Sequence, residues 1–292
     1  MRRMDLAPDR LDFGSCSILG DDALDALAAA YPLQPACFGH SLAHHPLLTL
    51  EALAQAAERM DPARVECRES SNSNGGEFAF AGNQFGTAAD TIRNIETARR
   101  WVMLRFAETL PEYADLLERL IVEMAPVTGR HGAALRPRAF IFISSPGTLT
   151  PFHFDPEFNI LFQIAGTKRF ATCPVRPPWI DTATQQRFHV DGDNLLAWSP
   201  SLQEGAKVHS LEAGSALFVP YKAPHWVEVD AAPSISLSLT WSNRTTLELE
   251  AAWQFNAWLD RMGASPSPPP AFPGRARLKA AMRRGAGRLG LV

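Results

Sequence analysis

Between Arg138 and Trp241 the sequence breaks into short apolar runs, and this stretch constrains the fold more than any other feature. The runs are rich in aromatic and β-branched residues, and Gly or Pro separates them at intervals typical of a β-sandwich or barrel. They read AFIFIS, NILFQI, KRFATC, SALFVP, HWVEV and SISLSLTW. No helical pattern alternates with them, which argues against a parallel α/β sheet. The sequence therefore predicts a mainly β core with flanking helices.

Helical patterns precede this core. Asp21–Tyr31 is rich in alanine and leucine, and the apolar residues of Thr49–Met60 recur at helical spacing. A longer helix is predicted from Thr87, a favourable N-cap, to Phe106, and another follows Pro111. The N-terminal region is accordingly predicted to be mostly helical.

Another helical pattern follows the core, from Thr245 to about Met262. It is succeeded by a proline-rich linker, GASPSPPPAFPG, and by a tail with six basic residues. We expect three regions: a helical N-terminal region at 1–130 that packs on the barrel, a β core at 131–243, and a C-terminal helix, linker and basic tail at 244–292.

Composition excludes several classes of protein. A net charge of -3 over 292 residues gives no global attraction to nucleic acid or acidic membranes, and no run reaches the length of a membrane span. The four cysteines are scattered without a CxxC pair, which suits a reducing compartment. The N-terminus lacks the apolar stretch of a signal peptide. We therefore expect a cytoplasmic protein.

His153 and Asp155 are the first candidate metal ligands. Residues two apart on a strand point to the same face, so both side chains can reach one ion. With one more histidine they form the two-histidine, one-carboxylate set that leaves coordination positions open. The motif alone is weak evidence, because a second copy, His189-Val190-Asp191, occurs in a stretch that reads as a polar turn.

Lys168 is the second unusual residue in this region. Ala165-Gly166 has the character of a two-residue hairpin turn, which would pair Gln163 with Lys168 and place the lysine on the face of the metal ligands. Pro156 is expected to break or bend the preceding strand and bring the lysine nearer. A buried lysine needs an anion, and a dicarboxylate bound to the metal at its other end would supply one. Alternatively, Lys168 is a surface residue at the end of a hairpin.

His225 is the predicted third ligand. In EAGSALFVPYKAPHWVEV, Gly214 opens a turn, Pro220 ends a strand and His225 begins the next one. This spacing resembles the second motif of the cupins. His209 and His131 are competing candidates, but neither lies in such a turn.

These residues together resemble the JmjC and cupin-like Fe(II)/2-oxoglutarate oxygenases, especially the group around factor inhibiting HIF. In that group a threonine precedes the metal histidine by three residues, and an asparagine and a lysine follow the metal aspartate by four and thirteen. Thr150, Asn159 and Lys168 stand at those positions. The specific match covers about residues 140–241.

The resemblance implies a double-stranded β-helix, the cupin or jelly-roll fold, with iron bound by His153, Asp155 and His225. It also implies that Lys168 and Thr150 hold the distal carboxylate of 2-oxoglutarate, with Asn159 nearby. The inward polar residue of the last strand falls at Thr240 or at Ser238. The asparagine that the family has there is not matched.

The implied activity is hydroxylation of a protein or peptide side chain with Fe(II), 2-oxoglutarate and O2, releasing succinate and CO2. A small metabolite is an alternative substrate. A non-catalytic metal-binding cupin or ligand-binding regulator, and a redox-neutral cupin enzyme, are alternatives of other classes. Lys168 favours the oxygenase, because a plain metal cupin has no need for a second carboxylate anchor.

Three further features bear on partners. The basic tail is interpreted as a solvated end or an oligomer contact rather than a nucleic-acid site. The C-terminal helix is expected to pack on its own barrel or to form a homodimer. The histidine cluster His40, His44 and His45 is interpreted as capping and surface contacts rather than a second metal site.

Overall fold

The computed structural model describes residues 17–69 and 86–290, and its centre is a pair of antiparallel sheets. The strands are β1 (Ala36–Gly39), β2 (Val65–Glu69), β3 (Arg100–Arg105), β4 (Leu135–Ser144), β5 (Leu149–His153), β6 (Phe158–Ala165), β7 (Lys168–Thr172), β8 (Lys207–Leu211), β9 (Ser215–Val219), β10 (His225–Val229) and β11 (Ser234–Ser242). The helices are α1 (Asp21–Ala30), α2 (Leu50–Arg59), α3 (Ala88–Arg93), α4 (Pro111–Thr128), α5 (Thr182–Asp191), α6 (Arg244–Arg261) and α7 (Arg277–Arg288).

The order of the strands defines the fold. The large sheet runs β1-β9-β6-β11-β4-β3-β2 and the small sheet runs β5-β10-β7-β8. From β4 to β7 each successive strand changes sheet. β8 then pairs with β7 in the small sheet, and the alternation resumes through β9, β10 and β11. This winding is the jelly roll of a double-stranded β-helix, and the predicted fold class is confirmed.

The last strand, β11, shows how the sequence supports this arrangement. Its apolar residues Leu237, Leu239 and Trp241 belong to the largest core cluster, which also contains residues of α1, α2, α3 and α4. The alternate residues are small and polar, and they face the opposite sheet. Because β11 lies centrally in its sheet and both its faces are covered, every one of its residues is buried.

Three apolar clusters fill the space between the two sheets and the spaces on their outer faces. The largest lies between the large sheet and the N-terminal helices. A second, with Leu161, Phe170 and Val227, lies between the two sheets. A third, with Phe152, Phe154 and Trp226, lies on the outer face of the small sheet, beneath the excursion that carries α5. Polar side chains of both sheets, among them His153, Lys168 and Ser238, also face the space between the sheets.

The N-terminal region contributes strands as well as helices. α1, α2 and α4 form where helices were predicted, and the helix predicted from Thr87 does begin there, with a capping box between Thr87 and Asp90. That helix ends at Arg93, however, and 100–105 form β3. The prediction of a helix to Phe106 was wrong, because this segment pairs along both edges, with β2 and β4.

The predicted hairpin at Ala165-Gly166 was also wrong. β6 pairs with β9 and β11, whereas β7 pairs with β8 and β10, so the turn carries the chain from one sheet to the other. Gly166 has φ +70°, and a Cβ at this position would collide with the carbonyl oxygen of Pro233. The predicted break at Pro156 is confirmed, since β5 ends before it and β6 begins after it.

One other segment differs from the sequence-based expectation. The motif His189-Val190-Asp191 ends α5 and is not a turn. The basic tail forms α7, which packs against α6.

None of the helices in 17–69 and 86–290 is long and apolar enough to cross a membrane. The N-terminal segment without a signal-peptide pattern lies outside the described residues.

Candidate active site

The three predicted metal ligands meet between the two sheets. His153 ends β5 and His225 begins β10, and these two residues are direct partners in the antiparallel pairing. Asp155 follows β5 at the point where the chain crosses to the large sheet. One ligand atom from each of the three residues lies within 4.8 Å of the other two, and no other such group of three occurs in the part of the chain that the structure describes.

Each histidine ring is held by a hydrogen bond to the backbone carbonyl oxygen two residues earlier in the chain. Nδ1 of His153 lies 2.7 Å from the carbonyl oxygen of Pro151, and Nδ1 of His225 lies 2.9 Å from that of Ala223. A carbonyl oxygen only accepts, so each Nδ1 carries the proton. Each Nε2 therefore presents a lone pair, and that of His225 lies 3.6 Å from Oδ2 of Asp155.

The electrostatic setting favours a neutral imidazole. Burial and the neighbouring His153 lower the pKa of His225 to about 4. The ring of Phe170 stacks on that of His225, with centroids 5.0 Å apart. Asp155 is the least buried of the three, with a side chain 30% exposed. Two neutral nitrogen donors and one carboxylate suit a divalent transition metal.

Lys168 lines the same cavity, as predicted, but it reaches the cavity from the small sheet and not through pairing with Gln163. It begins β7 in the small sheet and projects across to the large sheet, where Nζ donates to Oγ of Ser236 over 2.6 Å. Lys168 is 4% exposed, and none of the described carboxylates forms an ion pair with it. Burial alone lowers its pKa to about 7. An anion bound beside it would reverse this effect.

The other predicted co-substrate residues lie around this lysine. Asn159 and Ser238 are joined across the large sheet, where the Ser238 hydroxyl donates to Oδ1 of Asn159 over 2.6 Å. The hydroxyl of Thr240 is buried and has no hydrogen-bond partner among the described residues. Thr150, on β5, lines the cavity from the opposite side. Ser236, which directly contacts the lysine, was not among the predicted site residues.

The cavity has a volume of about 450 Å³ and includes all eight predicted site residues in its lining. Its rim contains residues that the sequence did not suggest. Glu66 and Arg68 on β2 and Arg105 on β3 form an ion-pair cluster in which both arginines lie 2.6 Å from Glu66. Glu157 also lines the cavity, and burial together with the Asp155 carboxylate raises its pKa to about 8.

The rim residues could not have been found from motifs. They lie far from the core in sequence, and Arg105 falls in the segment that was predicted to be helical. The only available signal was the alternation of Trp101, Met103 and Arg105, which share a face of β3.

The competing histidines lie elsewhere. Nδ1 of His209 is hydrogen-bonded to Sγ of Cys37, and its Nε2 is hydrogen-bonded to the hydroxyl of Thr172. Nε2 of His189 lies 3.3 Å from Nζ of Lys222, outside the metal group. His40 of the N-terminal cluster contacts backbone oxygens of Gln163 and Ser215.

The phenylalanines of TPFHFDPEF do not line the cavity. Phe152 and Phe154 point to the outer cluster, and Phe158 to the helices. Phe140, Phe142, Phe170 and Trp101 line the cavity instead.

Sequence comparisons connect the chain with JmjC proteins. No protein-family model matches it. It is 33% identical over 104 residues to the lysine-specific demethylase JMJ30 of Arabidopsis thaliana, and 28% identical over 107 residues to the Jumonji C domain-containing protein 5 of Drosophila melanogaster. The matches cover 33% and 34% of this chain, but only 24% and 26% of those proteins. The chain thus spans about a quarter of the length of these relatives.

Comparison with solved structures supports the fold. The crystal structure of ycfD from Escherichia coli matches with a TM-score of 0.53 and 17% identity, over 91% of this chain and 67% of that one. The resemblance to the JmjC and cupin-like proteins that the sequence motifs indicated is confirmed.

Proposed function

We propose that this JmjC-like chain is an Fe(II)- and 2-oxoglutarate-dependent dioxygenase. His153, Asp155 and His225 would hold the iron, and Lys168 with Thr150 would hold the distal carboxylate of 2-oxoglutarate. When bound, iron, 2-oxoglutarate and O2 supply an oxidative decarboxylation that yields succinate and CO2 and hydroxylates the substrate.

One observation carries this proposal. The cavity holds a two-nitrogen, one-carboxylate donor set and also a buried lysine that no described carboxylate neutralises. Burying an unpaired charge is unfavourable, so an anion bound beside the lysine would stabilise its charged form, and none of the described carboxylates fills that role. A protein that only bound a metal ion would have no use for this second group. A dicarboxylate with a metal-chelating end satisfies both requirements.

The remaining polar residues have positioning roles in this proposal. Ser236 fixes the Lys168 ammonium on the large-sheet side of the cavity. Ser238 fixes the amide of Asn159, whose Nδ2 remains available as a donor. The Thr240 hydroxyl is buried without a partner among the described residues, and a bound carboxylate would satisfy it.

We further propose that the substrate is a protein or peptide side chain. The names of the similar proteins support this choice: one is a lysine-specific demethylase, and ycfD is described as a ribosomal oxygenase. The cavity is open beside a rim of ionised side chains, Glu66, Arg68 and Arg105, which suits contact with a polar polypeptide. A small metabolite is the alternative substrate.

A cytoplasmic location and a homodimer through the C-terminal helix also stay proposals. The scattered cysteines support the first. For the second, α6 already packs against α5 and α7, so a partner subunit would contact the face that these helices leave free.

An anaerobic titration of the purified protein with Fe(II) and 2-oxoglutarate tests the proposed function. We expect the weak visible charge-transfer band of a metal-bound 2-oxo acid. Asp155→Ala and Lys168→Ala should both weaken it, whereas Asp191→Ala, in the second His-x-Asp motif, should leave it unchanged. If metal binds but no band forms at any 2-oxoglutarate concentration, the oxygenase is excluded and the metal-binding cupin is the better interpretation.

A further inference from the structure

A second buried lysine, Lys222, lies outside the catalytic cavity. It occupies the turn between β9 and β10 and is 1% exposed. Its φ of 59° is unusual for a residue with a side chain, and its backbone N–H donates to the carbonyl oxygen of Asp155 over 3.1 Å. The left-handed backbone conformation of Lys222 is unfavourable in itself, so contacts with the surrounding structure must stabilise this turn.

The surroundings of the Lys222 ammonium are polar but carry no opposite charge. Nζ lies 3.3 Å from Oε1 of Gln185 and 3.3 Å from Nε2 of His189, both on α5. It also lies 4.9 Å from the centre of the Trp253 ring on α6. Glu250 acts on it only at longer range, and no described carboxylate forms an ion pair with it.

Lys222, Gln185 and Trp253 all line one cavity of about 550 Å³, which shares no lining residue with the catalytic cavity. We call it the proline-walled cavity, because prolines form much of its wall. They are Pro32, Pro35, Pro174, Pro220, Pro268, Pro269 and Pro270. Tyr221, which also lines it, has a buried hydroxyl without a hydrogen-bond partner among the described residues.

We propose that the proline-walled cavity is a second binding site, for a small organic carboxylate that pairs with Lys222. Lys222 lines this cavity, and the partners around its Nζ are Gln185, His189 and the Trp253 ring, so a carboxylate in the cavity would be an oppositely charged partner that the described residues do not supply. The walls are rigid and largely apolar, so the ligand would combine one carboxylate with an apolar body. The proposal is independent of the oxygenase activity, because the two cavities are lined by separate residues.

Calorimetric titration with benzoate, and with its neutral analogue benzamide, tests this site. We expect saturable one-site binding of benzoate in the millimolar range or tighter, and binding of benzamide weaker by about tenfold or more, as for loss of one charge-assisted hydrogen bond. Lys222→Met should weaken benzoate binding by a similar factor. Lys207→Met, which removes an exposed lysine from the same wall, should change it by less than about twofold.

Benzoate could also reach the catalytic lysine, so the titration is repeated on Lys168→Met. Binding that persists there and is lost in Lys222→Met supports the proposal. Binding that is lost in Lys168→Met and retained in Lys222→Met assigns benzoate to the catalytic cavity and overturns the proposal. Absence of saturable binding at millimolar benzoate, or equal binding of benzamide, also overturns it. If Lys222→Met does not fold, the benzoate and benzamide comparison on Lys168→Met decides: a preference for benzoate that is retained there supports the proposal, and its loss overturns it.

Discussion

Replacing Lys168 by methionine should abolish 2-oxoglutarate binding and at the same time stabilise the ligand-free protein. The lysine is buried between two sheets, and its ammonium has one hydrogen bond, to Ser236, in place of full hydration. Methionine has a similar length and flexibility and carries no charge, so it removes the cost of burying the ammonium without leaving a large void.

The size of the effect follows from the pKa. Burial lowers the pKa of Lys168 from 10.5 to about 7. At about 1.36 kcal/mol per pH unit, this difference corresponds to roughly 5 kcal/mol of destabilisation when the lysine is protonated in both states. Leaving the Ser236 hydroxyl without its partner costs about 1–3 kcal/mol. We therefore expect a net gain of about 2–4 kcal/mol in the free energy of unfolding of ligand-free Lys168→Met at pH 6.

The gain should depend on pH in a defined direction. Below pH 7 the lysine is protonated in the folded and unfolded states, and the full cost is present. Between pH 7 and 10.5 the unfolded state binds one more proton than the folded state, so the wild type gains stability as pH rises. The advantage of Lys168→Met should therefore shrink across this interval.

Urea unfolding of the metal-free, ligand-free protein at pH 6 and pH 9, monitored by circular dichroism, measures both quantities. Lys207→Met is the matched control, because it removes an exposed lysine from the same sheet and should change stability by less than about 0.5 kcal/mol. If Lys168→Met is less stable than the wild type at pH 6, or if the difference between them does not decrease towards pH 9, the buried-charge argument for the co-substrate site is refuted.

Three other outcomes are expected. The dissociation constant of 2-oxoglutarate should rise about tenfold per pH unit above pH 7, because free Lys168 must take up a proton to pair with a carboxylate. Titrations that follow the charge-transfer band between pH 7 and 9 measure this dependence, and a flat profile would contradict it. Ser236→Ala should weaken 2-oxoglutarate binding by about tenfold while leaving Fe(II) binding unchanged, since it removes the hydrogen bond that orients the lysine; calorimetry with each ligand separates the two effects. Gly166→Ala should destabilise the protein by about 2–4 kcal/mol, through its positive φ and collision with Pro233; Gly147→Ala, with φ +68° and no neighbour within 4 Å, should cost only about 1 kcal/mol.

The sequence predicted the parts of the site that depend on local geometry. His153 ends one strand, Asp155 follows two residues later, and His225 begins another strand after a recognisable turn. Strand alternation and turn composition are properties of short segments, so they can be read from the chain directly. The three residues meet because the folding pattern brings those strand ends side by side, and the family resemblance supplied that pattern.

The parts that were missed depend on which strands pair. The turn at Ala165-Gly166 looks the same locally whether it closes a hairpin or carries the chain between sheets, and only the partners of β6 and β7 decide between these possibilities. Similarly, Ile92, Ile95, Val102 and Phe106 fit a helical period, yet pairing with β2 and β4 determines that 100–105 are extended. Tertiary context overrides local preference in both cases.

Ser236 illustrates a third kind of limit. Three polar residues of β11 face the cavity side, and the sequence offered no way to decide which of them reaches Lys168. The distance along the strand at which a lysine from the opposite sheet arrives is set by the separation and twist of the two sheets.

The hydrogen bonds from the two histidine Nδ1 atoms to backbone carbonyl oxygens bear on which metal ion the site binds. Because Pro151 and Ala223 fix both imidazoles before any ion arrives, the donors meet every divalent cation in nearly the same arrangement. Copper, nickel and zinc bind nitrogen donors more strongly than Fe(II) does, so the affinity of the two imidazoles does not by itself select iron. Which ion the protein carries should then reflect the supply of free metals in the cell more than any preference of the site, and protein purified from a metal-rich medium should contain a mixture.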